Sequence, residues 1–344
     1  MPTDLFSPKP QVRIIEAQSL GAEAFLSNVV SKSQPVILRG LIRDWPATRA
    51  GGSGPLGVIA YLKQYCSDEP VTTSIAPPSA AGRLFYDDTG AAMNFRRQQL
   101  SLTAALNLLS ASIGEEHPNT IAVQSAPAHK VLPGFIEANR LDIVPDHVRA
   151  RVWIGNRVTI AAHYDSAENV ACVVSGRRRF TLFPPEQVGN LYPGPFELTP
   201  AGPIVSMVDF DHPDHARYPR FRIALESAIT LDLEAGDAIY IPYLWWHHVR
   251  SLDPFNMLVN YWWNPESSAT GEPLDAMLHA MLAIKTLPHA HREAWAALFA
   301  HYVFERDGTP GLHLPVAQRG IQASLSGDAL DRARSMIARR LSVR

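Results

Sequence analysis

Apolar and polar residues alternate with two different periods along this chain, and the change of period divides it into three parts. From 1 to 150 strand and helix patterns are mixed. Residues 11–17 read as a strand, and Phe25, Leu26, Val29 and Val30 recur at helical spacing over 21–31. Pro35-Val36-Ile37-Leu38-Arg39-Gly40 is a buried strand ended by glycine. A glycine-rich loop at 51–55 leads into a helix over about 56–66 and a strand near 70–76. Residues 79–100 mix Gly, Asp and arginines with Phe85, Tyr86 and Phe95, which predicts a hairpin or long loop. Leu102, Ala105, Leu106 and Leu109 predict a helix over 101–113, followed by a short strand at 120–124 and a short helix at 133–140.

From 151 to 264 the pattern is strand after strand, punctuated by Gly and Pro. The predicted strands are Arg151–Ile154, Val158–His163, Val170–Val174, Arg178–Phe183, Ala228–Leu233, Ala238–Ile241, His247–Ser251 and Met257–Trp263. Eight short strands without intervening helices read as an antiparallel barrel or a two-sheet jelly roll. The excursion 184–227 is too long for a turn, and an insertion of that length at a barrel mouth is usually functional. After Trp263 the period becomes helical. Leu274, Met277, Leu278, Met281 and Leu282 form a stripe, a second helix runs over about 289–305, and a third over 328–342 ends in arginines suited to a helix C-terminus. The expected organisation is N-terminal α/β elements (1–150) packed on a barrel (151–265, with insertion 184–227), then C-terminal helices (266–344).

Composition narrows this picture. At 344 residues, 46% hydrophobic and 19% charged, the chain can build one large or two modest cores. A net charge of −2 provides no overall field to recruit nucleic acid or an anionic membrane. No apolar run approaches the roughly 20 residues of a membrane helix. Cys66 and Cys172 cannot form a disulfide framework, and Met1-Pro2-Thr3-Asp4 lacks the charged start and apolar core of a signal peptide. A cytoplasmic, reduced location is the expectation.

The candidate chemistry starts at His163-Tyr164-Asp165. In a strand, side chains two apart project from one face, so the imidazole and carboxylate converge as two ligands of a metal. A third ligand would complete the facial set of non-haem iron, with positions left open for substrate and dioxygen. Trp245-Trp246-His247-His248 supplies it, just after the Gly236-Asp237 turn and an apolar strand. His247 is the first choice and His248 the register alternative, since a slip of one residue reverses the face. With 13 histidines in the chain, about one His-x-Asp arises by chance, and His212-Pro213-Asp214 also fits. That triplet lies in the insertion, where no regular strand directs the side chains, and is read as a polar loop. His289-x-His291 falls on a predicted helix, where residues two apart do not face each other. Met277 and Met281 are read as packing, and the Trp245/Trp246 and Trp262/Trp263 pairs as core.

Several of these segments together resemble the cupin-like Jumonji C oxygenases. They are Pro35–Gly40 with Trp45-Pro46, His163-Tyr164-Asp165 with Asn169, Gly176–Phe180, Leu182–Pro185, Asp232–Pro242, Trp246–His248 and Asn260–Trp262. The resemblance covers roughly residues 10–265 and is closest in pattern to the asparaginyl hydroxylases of that family. It implies a mainly β fold with flanking helices, in which a double-stranded β-helix (jelly-roll or cupin) barrel is followed by a C-terminal helical segment. It also implies an Fe(II)- and 2-oxoglutarate-dependent dioxygenase, a hydroxylase acting on a protein side chain or small molecule, with dimerisation through the C-terminal helices. His163, Asp165 and His247 match the family's iron ligands. Asn169 and Asn260 match residues lining the cofactor pocket, and Thr159 lies one position from a family threonine that contacts 2-oxoglutarate.

Three departures stand out. The family lysine that pairs the distal carboxylate of 2-oxoglutarate falls on Arg178, a sensible exchange because a guanidinium can clasp a carboxylate bidentately. On strand 178–183 Arg178 shares parity with Phe180 and Leu182, so it is the inward cation if their face is the interior; otherwise all three arginines are solvated. Ala122 stands where the family has a tyrosine. Apolar Ile204-Val205 replaces a polar Arg-Gln pair that reads the target amide, and an amide buried there would leave its hydrogen bonds unmade. Two other readings stand beside the dioxygenase: a non-catalytic metal-binding cupin-like module, and an iron cupin enzyme that does not use 2-oxoglutarate.

Overall fold

The computed structural model describes residues 12–200, 202–264, 271–323 and 325–342. It divides into two units, 1–263 and 264–344. Residue 11 of the first predicted strand lies outside the described residues. The described residues of the first unit hold fourteen strands: β1 Arg13–Glu16, β2 Val36–Arg39, β3 Pro70–Ala76, β4 Arg83–Leu84, β5 Arg96–Ser101, β6 Thr120–Pro127, β7 Ala150–Gly155, β8 Thr159–His163, β9 Glu168–Ser175, β10 Arg178–Phe183, β11 Ile229–Leu233, β12 Ala238–Ile241, β13 Trp246–Ser251 and β14 Asn256–Trp263. They form a nine-stranded sheet in the order β1-β2-β12-β9-β14-β7-β6-β3-β5 and a five-stranded sheet in the order β11-β10-β13-β8-β4. The eight strands β7–β14 divide four and four between the two sheets and pair antiparallel throughout. This is the double-stranded β-helix of a cupin.

The sequence character of each strand follows from what covers it. β9 is buried at every position, because Ala171 and Val173 face the barrel interior while Val170, Cys172 and Val174 pack beneath the N-terminal elements. Its run Val170–Val174 therefore shows no alternation. β10 and β11 keep an exposed face, with Arg179 and Asp232 paired across it at 2.7 Å, so their period of two survives. Gly176 makes the β9–β10 turn at φ +73°, where a Cβ would meet Asn256 Oδ1 at 2.4 Å. Only glycine fits there, and the turn aims Arg178 two residues on.

Burial of Phe25, Leu62, Leu106 and Phe135 against the large sheet holds the N-terminal elements in place. Asp237 ties β12 to β2 by accepting from the Gly40 N–H at 3.0 Å and pairing with Arg39. The 79–100 stretch is more ordered than its composition predicts. β4 pairs parallel to β8, and β5 forms the outer edge against β3. Its sequence Arg96-Arg97-Gln98-Gln99 is that of a charged edge strand, which mimics a loop in composition. In the insertion, Val205 bridges antiparallel to His163 and the Ser206 N–H donates to Ala162 O at 2.7 Å, which extends the small sheet at the barrel mouth.

The second unit comprises helices Pro273–Ile284, His289–Tyr302, Val316–Arg319 and Gly327–Ser342, none of which buries a side chain in this chain. Met277 and Met281, expected to be packed, are 41% and 36% exposed. No described helix is long and apolar enough to cross a membrane.

Candidate metal centre

β13 pairs antiparallel with β8 in a register that sets His247 directly opposite His163, and their ring centroids lie 4.2 Å apart. Asp165 follows two residues after His163, just past the end of β8, and its Oδ2 lies 3.5 Å from His247 Nε2. One ligand atom from each of the three falls within 4.8 Å of the others, and among the described residues no other group of three such side chains converges.

The histidines are held ready to ligate. His163 Nδ1 lies 2.9 Å from Ala161 O and His247 Nδ1 lies 3.0 Å from Trp245 O. A carbonyl only accepts, so each Nδ1 carries a proton and each Nε2 is the nitrogen left to ligate. Burial pushes the His247 imidazole down to about 4; His163 adds to the shift and Asp165 opposes it. Asp165 Oδ2 is buried without a hydrogen-bond partner. An orphaned carboxylate oxygen beside two imidazoles is the donor set a divalent cation satisfies, and it is consistent with Fe(II).

The loop carrying Asp165 is stitched to the turn before β13. Leu244, held at φ +60°, donates its N–H to Asp165 O at 3.0 Å, and the Tyr240 hydroxyl donates to Glu168 Oε2 at 2.5 Å. Tyr164, between the ligands in sequence, turns away and packs edge-on against Trp246 at 4.8 Å. This supporting layer has no signature in the sequence.

A cavity of about 60 Å³ opens beside the cluster. It is lined by His163, Asp165, His247, Asn169, Asn260, Trp153, Trp262 and Arg178, with Phe180, Ile241 and Leu258 as apolar wall. Trp153 Nε1 donates to Asn260 Oδ1 at 2.8 Å, and Asn260 Nδ2 donates to Asn169 Oδ1 at 3.3 Å, so the two asparagines form one polar rail. Arg178 points inward with Phe180 and is buried. Its Nη2 donates to Trp153 O at 3.3 Å, its Nε has no partner, and no described carboxylate forms an ion pair with it. Burial lowers its pKa to about 10, which leaves it cationic at neutral pH.

Other predicted residues lie elsewhere. Thr159 lines neither this cavity nor the neighbouring one. Between His247/His163 and Val249/Ile160 the β8–β13 register slips by one residue, and this β-bulge turns Ile160 inward in its place. His248 faces the other way and stacks on Phe210 at 4.6 Å, where burial pushes its pKa down to about 4. Asp214 spends one oxygen on the N–H groups of Ala216 and Arg217 at 3.0 Å each, and His212 is exposed. His289 and His291 sit exposed on their helix. Of the tryptophans expected in the core, Trp262 is partly exposed and lines the cavity. Ile204 and Val205 are buried beside His163.

A His-x-Asp pair with a distant His, set inside a two-sheet β-helix, defines the cupin class of metal sites. The chain belongs to the cupin-like domain family, whose model matches residues 22–269. It is 34% identical over 132 residues to a lysine-specific demethylase, JMJ31, of Arabidopsis thaliana, covering 38% of this chain and 22% of that protein. It is 26% identical over 239 residues to JmjC domain-containing protein D of Dictyostelium discoideum, covering 66% and 51%. It is also 26% identical over 271 residues to the human bifunctional peptidase and (3S)-lysyl hydroxylase JMJD7, covering 70% and 81%. The chain thus spans about a fifth of the first relative's length and about half of the second's.

Proposed function

We propose that this chain is an Fe(II)- and 2-oxoglutarate-dependent oxygenase that hydroxylates a side chain of a protein substrate. The observation that carries the reading is one cavity with a three-ligand metal set at one end and a buried, uncompensated arginine at the other. A buried cation without an anion is costly, and a dicarboxylate chelating the metal would relieve it. His163, Asp165 and His247 would hold the iron, and Arg178 the distal carboxylate. Iron with 2-oxoglutarate and dioxygen supplies oxidative decarboxylation coupled to hydroxylation of a C–H bond. The chain's own residues do the rest. The backbone carbonyls of Ala161 and Trp245 fix the imidazole tautomers, the Asn169–Asn260 rail orients ligands across the cavity, and Phe180, Ile241 and Leu258 exclude water. Thr159 has no part in this reading. The protein substrate is supported by the relatives' printed names, which specify lysine.

The test is succinate formation from 2-oxoglutarate under Fe(II), ascorbate and dioxygen. Wild-type protein releases succinate, and Arg178→Met raises the dissociation constant for 2-oxoglutarate by about 30-fold or more. Metal-replete protein that neither binds nor turns over 2-oxoglutarate sinks the reading and leaves a metal-binding module or another iron cupin enzyme.

The C-terminal helices, 266–344, are proposed as a homodimer surface. Leu274, Met277, Leu278, Met281, Trp295 and Leu298 are each 36–44% exposed within one chain, an apolar area that association would cover. Sedimentation of the full chain should give a dimer at micromolar concentration that Leu278→Glu converts to monomer; a wild-type monomer removes the idea. A cytoplasmic setting is in keeping with two free cysteines, Cys66 and Cys172.

A further inference from the structure

Beyond Arg178 lies a second, smaller cavity of about 30 Å³, room for about two water molecules or one carboxylate group. It shares Trp153, Ile160, Arg178 and Val249 with the cavity beside His163, Asp165 and His247. Its remaining walls are apolar at Ala122, Val123, Ile154 and Val158, and its added polar side chains are those of Gln124 and Ser251. Both present donors. Ser251 is the direct cross-strand partner of Arg178 in the β10–β13 pair, so their side chains share one face with Cβ atoms about 4.5–5.5 Å apart. It is also two residues from Val249 and four from His247, which places it on the inward face of β13. Gln124 accepts from the Ser74 hydroxyl through Oε1 at 3.3 Å, and this turns its amide N–H groups the other way. No carboxylate lines the cavity, so a guanidinium, an amide and a hydroxyl border a space suited to an acceptor.

We propose that Ser251 and Gln124 are cosubstrate-positioning residues that, with Arg178, form a three-donor clamp for the distal carboxylate of a 2-oxo dicarboxylate. The inference rests on the 2-oxoglutarate reading above. With Ala122 in the wall and Thr159 turned out by the bulge in β8, neither of those positions offers a hydroxyl, and Ser251 and Gln124 supply the neutral donors from different strands. Arg178 provides the charge, and the two neutral groups set the angle at which the carboxylate lies.

The test uses full-length protein loaded with Mn(II) and titrates two ligands calorimetrically: 2-oxoglutarate, and 2-oxobutyrate, which keeps the metal-chelating end and lacks the distal carboxylate. Ser251→Ala and Gln124→Leu should each weaken 2-oxoglutarate by about tenfold or more, as expected for a hydrogen bond to a charged group. Each should leave 2-oxobutyrate within twofold of wild type, and Ser251→Thr, which keeps the hydroxyl, should retain most of the affinity. The 2-oxobutyrate titration exposes a misfolded variant, since damage to the fold lowers both affinities together. If both variants bind 2-oxoglutarate as wild type does, or lose both ligands equally while Ser251→Thr does the same, the clamp is wrong. If wild-type protein takes up Mn(II) yet binds no 2-oxoglutarate, the cosubstrate reading fails and the clamp with it.

Discussion

The chain carries the same triplet pattern in two places, and among the described residues only one of them gathers a candidate set of metal ligands. His163-Tyr164-Asp165 runs off the end of β8, where the register with β13 sets His247 opposite and a turn at 242–245 grips the backbone of Asp165. The Asp165 Oδ2 is left without a partner. His212-Pro213-Asp214 lies in the insertion, where the carboxylates serve the chain itself. Asp209 caps the N–H groups of Asp211 and His212 and pairs with Arg83 at 3.2 Å, while Asp214 caps those of Ala216 and Arg217. A carboxylate occupied by backbone donors shapes a loop, and one held beside imidazoles with an oxygen unsatisfied is prepared for a cation.

The largest expected difference between the two triplets is in metal affinity. His163→Ala or Asp165→Ala should weaken Mn(II) binding by at least about 100-fold, beyond the 10–100-fold typical of losing an outer-shell partner. His212→Ala should change it by less than twofold, and calorimetric titration of the three variants checks both. Equal losses at the two sites would erase the contrast.

The next effect concerns pH. His247 and His248 sit near 4 in the folded protein against 6.5 when unperturbed, so between those values the unfolded chain binds more protons than the folded one. Stability therefore rises with pH across this window, is fully present above about 6.5, and is lost as pH falls toward 4. Denaturant melts of apo protein at pH 7, 5.5 and 4.5 should show the decline, and a flat profile would show that the imidazoles are not held neutral. The smallest effect belongs to the loop. Asp214→Ala should cost about 1 kcal/mol of stability through its two lost N–H acceptances, with metal affinity unchanged.

Much of this arrangement is legible along the chain. The eight barrel strands, the insertion and the C-terminal helices show in period and punctuation, and period two brings His163 and Asp165 to one face. Arg178 is readable as inward from its parity with Phe180 and Leu182. Other features are not legible. β5 looks like a loop because an edge strand is protected by charge, and Trp262 looks like core because an indole lining a cavity has the composition of one buried in it. The Tyr240–Glu168 bond and the Ser74–Gln124 bond join residues far apart in sequence, and neither leaves a local pattern.

The sequence by itself determined which side chains alternate together: His163 with Asp165, Arg178 with Phe180, His247 with Val249 and Ser251. Only the tertiary structure decided which of two alternating faces is the interior, and where alternation breaks. The bulge in β8 reverses the face between His163 and Thr159, and the cover of Phe210 makes a buried but outward residue of His248. The reason is physical. Side-chain alternation is a property of one strand's backbone, whereas register, bulges and cover are set by hydrogen bonds and packing from strands that lie tens of residues away.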